Sequence, residues 1–167
     1  MFSIILQVRA GAVIRVARSL LALGILASFA ACDLPRDPEG TTERVRGGNL
    51  VVGVIEGSPY AALPDQAAQG EEATLALAVA RALDPKPVWI RGTGESIFAA
   101  LESGDVDLAI GGIAASTPWS SHAALSTSIG TMELAGDTED RVFALPLGEN
   151  RWLLEVNRVV RKAQSDR

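Results

Sequence analysis

The 167-residue sequence predicts an α/β fold built on a single doubly wound, mostly parallel sheet. Short β-branched runs alternate along the chain with longer segments whose apolar residues recur at helical spacing. Such alternation favours right-handed crossovers, with helices on both faces of the sheet. The composition is 48% hydrophobic and 21% charged, which is typical of a globular chain and excludes a disordered one.

The first half of the sheet is predicted from two strands and the helix between them. The strand Leu50–Ile55 is a β-branched run that stops at the turn Glu56–Pro59. The helix Gly70–Leu83 carries apolar residues at helical spacing and two acidic residues in its first turn, where they favour helix formation. Two prolines end this helix, and Val88–Ile90 is the second strand.

The second half of the sheet is predicted from two further strands. A helix face that includes Ile97 and Leu101 ends at Gly104, and the strand Val106–Ile113 follows it. The last strand is Arg141–Leu145.

The final helix, Glu149–Ala163, has the clearest apolar stripe in the sequence. This stripe includes Trp152 and Val156, while Glu149 stands at its start and basic residues stand at its end. We therefore expect this helix to pack on the sheet and to close the fold.

The N-terminal residues predict export and anchoring. Three arginines precede the uncharged run Ser19–Ala31, a pattern typical of a secretory signal and too short to span a bilayer. Residues 29–32, Phe-Ala-Ala-Cys, resemble a bacterial lipobox, and Asp33 resembles an inner-membrane retention signal. We therefore expect Cys32 to be lipidated and to hold the chain at the periplasmic face of the bacterial inner membrane. The alternative is a plain signal peptide and a soluble periplasmic protein.

The sequence accordingly divides into three parts: a signal peptide at 1–31, a lipid-anchored flexible tether at 32–48, and a lobe at 49–167. The tether is expected because this segment is polar and rich in Pro and Gly. The three leader arginines contribute to the formal charge of −5, so the remaining chain is more acidic still. That excess of acidic residues argues against nucleic acid as a partner.

The inventory of reactive residues argues against an enzyme. The sequence has one His and one Cys, which cannot supply a clustered metal site or a nucleophile–base pair. Phosphate-binding loops and Gly-x-Ser-x-Gly elbows are also missing from the sequence. We therefore expect no catalytic residues, no metal and no cofactor.

An ordered set of short motifs resembles the first lobe of bacterial extracellular solute-binding proteins of family 3, which serve amino-acid ABC importers. The matching positions are Pro59-Tyr60, Gly70, Glu72, Leu75, Leu101, Gly104, Asp107, Gly111-Gly112 and Thr117-Pro118. The resemblance covers about 49–129 and 141–160, and it implies one lobe of a type II periplasmic binding protein fold. Only Thr131–Asp140 occupies the interval that holds the family's second lobe. Ten residues cannot form that lobe, because a single βαβ unit needs about 30.

The resemblance also implies where a ligand would lie. Tyr60 is either a stacking platform or a packing residue, and Arg91 is either an anion ligand or a solvated residue at a strand end. Ser116 or Thr117 caps the turn that begins at Pro118, and the free N–H groups behind that cap are a candidate anion site. The candidate ligand-binding residues are Glu56, Ser58, Tyr60, Arg91, Ser116, Thr117 and Trp119.

Three expected ligand features are missing. The family arginine that grips the ligand α-carboxylate aligns with Ser120, the Asp of the helix-start motif aligns with Thr74, and the stacking aromatic falls near Gly94. A hydroxyl cannot replace the paired donors of a guanidinium.

The leading hypothesis is a membrane-anchored solute-binding-type protein of an ABC transport or sensing system, which binds a small polar, amino-acid-like solute weakly through a half-site. Its expected partners are an ABC permease or another periplasmic protein. The alternatives are an interaction module that kept the fold and lost the ligand, for example an accessory to a periplasmic dehydrogenase, and a truncated paralogue.

Overall fold

The computed structural model describes residues 35–65 and 67–166. The expected signal peptide and Cys32 therefore lie outside the described residues. The helices are α1 Thr41–Arg46, α2 Glu71–Leu83, α3 Gly94–Glu102 and α4 Asn150–Ser165. The strands are β1 Asn49–Ile55, β2 Lys86–Gly92, β3 Leu108–Ala114, β4 Ala123–Leu125, β5 Gly130–Leu134 and β6 Asp137–Pro146, and a short 3₁₀ turn spans Pro118–Ser121.

The strands form one open sheet in the order β2-β1-β3-β6-β4, with β5 also paired to β6. Strand β1 pairs in parallel with both β2 and β3, whereas β6 is antiparallel to β3, β4 and β5. Five of these six strands thus run in one direction and β6 runs against them. The doubly wound, mostly parallel sheet predicted from the sequence is confirmed.

Helices cover both faces of this sheet. On one face α1, α2 and α4 pack against β1, β3 and β6, and on the other face α3 packs against β3, β4 and β6. Trp152 and Val156 of α4 are fully buried, as their apolar stripe predicts. The indole N–H of Trp152 also donates a 2.8 Å hydrogen bond to the Asp107 carbonyl, so burial leaves no polar atom of this side chain unpaired.

The segment expected to be a flexible tether is ordered at its C-terminal end. Helix α1 lies within it, and Thr41, Thr42 and Val45 are buried. The cause is the fully buried Glu149 carboxylate just before α4, which accepts hydrogen bonds from the backbone N–H of Glu39 at 3.0 Å and of Thr41 at 3.2 Å. A carboxylate that sequence analysis assigned to a helix N-terminus therefore also holds the N-terminal segment against the lobe.

A tight hairpin stands where the resemblance places a second lobe. Strands β5 and β6 pair from Gly130–Arg141 to Leu134–Asp137, so the hairpin turns on Ala135 and Gly136. Both turn residues have positive φ, 53° and 95°, as two-residue hairpin turns of type I′ require. The chain thus returns to the lobe after a single turn.

None of the helices in the described ranges is long and apolar enough to cross a membrane.

Candidate functional site

Two open pockets lie at the carboxyl ends of β1 and β3. The sheet order β2-β1-β3 makes the gap between these two strands a topological switch point, where open α/β sheets bind ligands. Ile55, the last residue of β1, lines both pockets. Six of the seven candidate residues predicted from the sequence line one pocket or the other, and Tyr60 lines neither.

The larger pocket, about 690 Å³, is lined by the loop that follows β1 and by Arg91 at the end of β2. Glu56 and Ser58 line it, as does the Leu63 segment of the same loop. Arg91 is exposed, and its guanidinium donates a hydrogen bond to the Leu63 carbonyl. This arginine therefore holds the loop and also offers a cation at the rim of the pocket.

The smaller pocket, about 300 Å³, is mainly apolar. Trp119 lies on one side and stacks on Phe98 of α3, with 5.0 Å between the ring centroids and 8° between the planes. Met132 and Leu134 of the β5–β6 hairpin line the pocket as well. An aromatic pair together with aliphatic side chains suits the apolar part of a small solute.

Ser116 and Thr117 supply hydroxyls to this smaller pocket. Thr117 caps the 3₁₀ turn, because its hydroxyl accepts a 3.5 Å hydrogen bond from the Trp119 N–H and Pro118 follows it at the first position. The turn is only four residues long, so it lacks the aligned peptide dipoles of a full helix. Ser120, where the family arginine would stand, is an exposed residue of the same turn.

A network of buried polar groups lies beside the two pockets, where α2 meets the sheet. Glu72, fully buried in the first turn of α2, accepts hydrogen bonds from the backbone N–H of Gly111 at 2.7 Å and of Gly112 at 3.1 Å. Both glycines have positive φ and lie where the β3–β6 register shifts, so their N–H groups leave the ladder and meet the carboxylate. Nη1 of Arg141 donates to the other carboxylate oxygen of Glu72 at 3.1 Å.

Arg141, from β6, makes four contacts with this network. Its Nη2 lies 2.8 Å from a Glu71 carboxylate oxygen, and its Nε donates to the Thr131 carbonyl at 2.9 Å. Its Cζ also lies 3.7 Å from the centroid of the Tyr60 ring, the geometry of a cation–π contact. One face of the Tyr60 ring therefore lies against Arg141.

Burial raises the pKa of Glu72 above its ordinary value, because desolvation penalises the charged carboxylate. The N–H groups of Gly112 and Gly111 and the charge of Arg141 act in the opposite direction and only partly offset that penalty. Glu72 is thus a carboxylate that the fold keeps out of water at the edge of the site.

The sequence predicted six of the residues that line the two pockets, and it did not predict the centre of this network. Glu56, Ser58 and Arg91 meet at the larger pocket, and Ser116, Thr117 and Trp119 meet at the smaller one. Glu72 was recognised only as a helix-start residue and Arg141 only as a strand residue. One signal was available: Arg141 opens the otherwise apolar run Val142–Leu145, and such a buried cation needs partners.

His122 lies at the surface, and its Nδ1 is within hydrogen-bonding distance of Glu102 Oε1, at 2.5 Å. Over residues 35–65 and 67–166, no group of three or more His, Cys, Asp or Glu side chains is arranged to hold a metal ion.

No known family model matches the sequence, and no curated protein matches it. Solved structures do resemble the chain. A point mutant of the arginine-bound form of domain 1 from TmArgBP, the ArgBP of T. maritima, superposes with a TM-score of 0.67 at 20% identity, covering 74% of this chain and 98% of that one.

Two further structures extend this likeness. An amino acid ABC transporter substrate-binding protein from Streptococcus pneumoniae, bound to L-arginine, has a TM-score of 0.63 at 14% identity, covering 75% of this chain and 92% of that one. The unliganded L-cystine solute receptor of Neisseria gonorrhoeae has a TM-score of 0.62 at 10% identity, with the same coverage. The chain therefore has the fold of one lobe of a periplasmic binding protein, and its structural neighbours are amino-acid-binding proteins.

Proposed function

We propose that this chain is a single-lobe solute-binding protein of an ABC transport or sensing system, held at the periplasmic face of the inner membrane by a lipid on Cys32. Its solute is small and polar, and it occupies the open pockets at the carboxyl ends of β1 and β3. The observation that carries the proposal is the pairing of these pockets with a hairpin, Gly130–Arg141, that closes the chain where a second lobe would begin.

The structural neighbours support a solute-binding role for a lobe by itself. The structure of domain 1 from TmArgBP is described as its arginine-bound form, so a domain of this fold can hold a solute without the rest of the protein. The neighbours bound to L-arginine and the L-cystine receptor favour amino-acid-like solutes as the class to test here.

Affinity is expected to be weak. Closed ligand sites bury about 70–90% of a small ligand, whereas a half-site leaves one side of the solute in water. Ser120 cannot supply the paired donors that an arginine offers to a carboxylate. Arg141 is already bonded to Glu72 and Glu71. We therefore expect a Kd no tighter than about millimolar, roughly −4 kcal/mol, for free amino acids.

Calorimetry of the full chain against pools of amino acids tests the binding claim. We expect weak heats that Thr117→Ala reduces, because Thr117 lines the smaller pocket. Arg158→Ala is the matched control, since Arg158 is 68% exposed on α4, and it should leave the heats unchanged. A micromolar Kd that Thr117→Ala abolishes would show that one lobe binds tightly by itself, against the weak half-site proposed here.

Membrane fractionation tests the anchor separately. The full chain should sediment with membranes, and Cys32→Ala should release it or leave its leader uncleaved. A wild-type chain found entirely in the soluble fraction would contradict the anchor and leave the solute-binding claim standing.

One observation favours a second candidate, an interaction module that kept the fold and lost the ligand. The Tyr60 ring face, which would otherwise be open to a solute, is covered by Arg141. Flat heats with every amino-acid pool would favour this candidate. A thermal-shift screen provides the independent check, because a solute present at 100 times its Kd adds about 2.7 kcal/mol to the stability of the protein that binds it.

A further inference from the structure

Arg141 occupies an unusual position for a cation. Its side chain is only 4% exposed, and the residues that follow it in β6, Val142 to Pro146, are all buried. Withdrawing a guanidinium from water is costly, so a buried arginine needs compensating partners. Here the partners come from three separate parts of the chain: the loop after β1, the start of α2, and β5.

Together these partners contact both the flat face of the guanidinium and the N–H groups along its edge. The Tyr60 ring covers the flat face of the group at 3.7 Å. Around its edge, Glu72 accepts from Nη1 at 3.1 Å, Glu71 from Nη2 at 2.8 Å, and the Thr131 carbonyl from Nε at 2.9 Å. A planar cation with donors directed outward along its edge satisfies all four contacts, whereas an ammonium cannot stack in the same way.

Glycines leave room for the group. A Cβ on Gly130 would lie 2.4 Å from Nη2 of Arg141, and a Cβ on Gly112 would lie 3.1 Å from Cδ2 of Tyr60. Both positions also have positive φ. Gly130 therefore leaves room for the guanidinium itself, and Gly112 leaves room for the Tyr60 ring that stacks on it.

We propose that Tyr60, Glu71, Glu72 and the Thr131 carbonyl form a guanidinium-binding site that the chain fills with its own Arg141. Arg141 is part of the chain and is held in this position by the fold, so it competes at an effective concentration far above the millimolar range of a flexibly linked group. A free guanidinium ligand is therefore excluded from the Tyr60 face in the wild-type chain. This inference concerns a site beside the two open pockets and does not depend on solute binding in them.

Arg141→Ala in the full chain empties the site and leaves its four partners in place. Methylguanidinium at about 50 mM should then raise the thermal midpoint of the variant by about 4 °C, as expected for a ligand at roughly ten times its Kd. The same concentration should move the wild-type midpoint by less than about 0.5 °C, because Arg141 already occupies the site. Methylammonium, which has the same charge without the planar fork, should have no such selective effect.

Two further variants separate binding from a general salt effect. Arg158→Ala, which removes an exposed arginine instead, should respond to methylguanidinium no more than the wild type does. Tyr60→Leu combined with Arg141→Ala should lose most of the midpoint shift, because the ring face is gone.

If Arg141→Ala alone does not fold, methylguanidinium should restore its far-ultraviolet circular dichroism spectrum, and methylammonium should not. Equal responses to the two cations, or no response from either the folded or the unfolded variant, would overturn the proposal. Neither result would bear on the calorimetry of the two open pockets.

Discussion

Two of the buried carboxylates of the lobe use the same chemistry at different places. Asp107, just before β3, accepts the Val51 N–H at 2.8 Å and pairs with Arg44 at 2.7 Å. Glu72 accepts the Gly111 N–H at 2.7 Å and pairs with Arg141 at 3.1 Å. Both carboxylates are fully buried, and each ties a helix to the sheet.

The two pairs differ in where the cation lies. Arg44 is 45% exposed, so its guanidinium keeps much of its water, whereas Arg141 is 4% exposed and stacks on Tyr60. Removing either cation leaves a buried carboxylate without its charge partner, but water can enter the space left by a half-exposed arginine more readily than the space left by a buried one. At the pocket end of the sheet, both the cation and the carboxylate of the Arg141–Glu72 pair are therefore withdrawn from water.

Breaking each pair in turn tests this difference most directly. We expect Arg141→Ala to lower the free energy of unfolding by about 3–5 kcal/mol, because Glu72 is left buried without its cation. Arg44→Ala should cost about 1 kcal/mol or less. Urea unfolding of the two variants measures both values, and similar losses would contradict the contrast.

Removing the carboxylate of the other pair is expected to have a smaller effect. Asp107→Ala leaves the Val51 N–H without its acceptor and should cost about 2 kcal/mol. Asp105→Ala is the matched control, since this exposed carboxylate lies two residues away and accepts a local hydrogen bond from Ser103. Equal midpoints in urea for the two variants would mean that Asp107 does not hold β1.

The pH dependence of the free energy of unfolding tests the burial of Glu72 separately. Burial raises the pKa of Glu72 above its ordinary value, so the folded chain keeps this proton where the unfolded chain loses it. The contribution of Glu72 to stability is therefore greatest below the ordinary carboxyl pKa and declines as pH rises from that value through the raised one.

Glu72→Gln removes this titration. The wild-type free energy of unfolding minus that of Glu72→Gln should fall across the same pH window, because the other carboxyl groups contribute equally to both proteins. Urea unfolding at several pH values measures the difference. A difference that stays constant with pH would show that the Glu72 pKa is not raised.

The sequence predicts the body of this fold well, because its apolar patterns are strong. The Trp152 stripe and the β-branched strand that became β1 each predict the observed element to within a few residues. The ordered part of the tether segment and the strands β4 and β5 were not predicted. Helix α1 depends on hydrogen bonds to Glu149, more than 100 residues away in the chain, and β5 depends on a hairpin turn whose first residue is an alanine.

The sequence predicts which loops line the candidate site, but it does not predict the buried network beside them. Loop residues that follow β1 and β3 line the pockets because parallel strands bring their carboxyl ends together, which the strand order implies. The contact between Arg141 and Glu72 joins residues 69 positions apart, and the register shift that frees the Gly111 and Gly112 N–H groups appears only in the folded sheet. Local sequence patterns predict neither this contact nor this register shift.

The smallest predicted effect concerns the hairpin that delivers Arg141 and Thr131 to the Glu72 network. Ala135 has a φ of 53°, a left-handed conformation that costs an alanine about 1 kcal/mol and that asparagine tolerates better. Ala135→Asn should therefore raise the free energy of unfolding by about 0.5–1 kcal/mol, and Ala135→Val should lower it, because a β-branched residue is disfavoured there. Ala115→Asn, at an exposed position without positive φ, is the matched control and should change stability little.

Amide hydrogen exchange shows where the hairpin substitution acts. Ala135→Asn should slow exchange at the Gly111 and Gly112 amides and leave the exchange of the Val51 amide, beside Asp107, unchanged. Uniform slowing at all three amides would show that the hairpin stabilises the whole lobe rather than its pocket end.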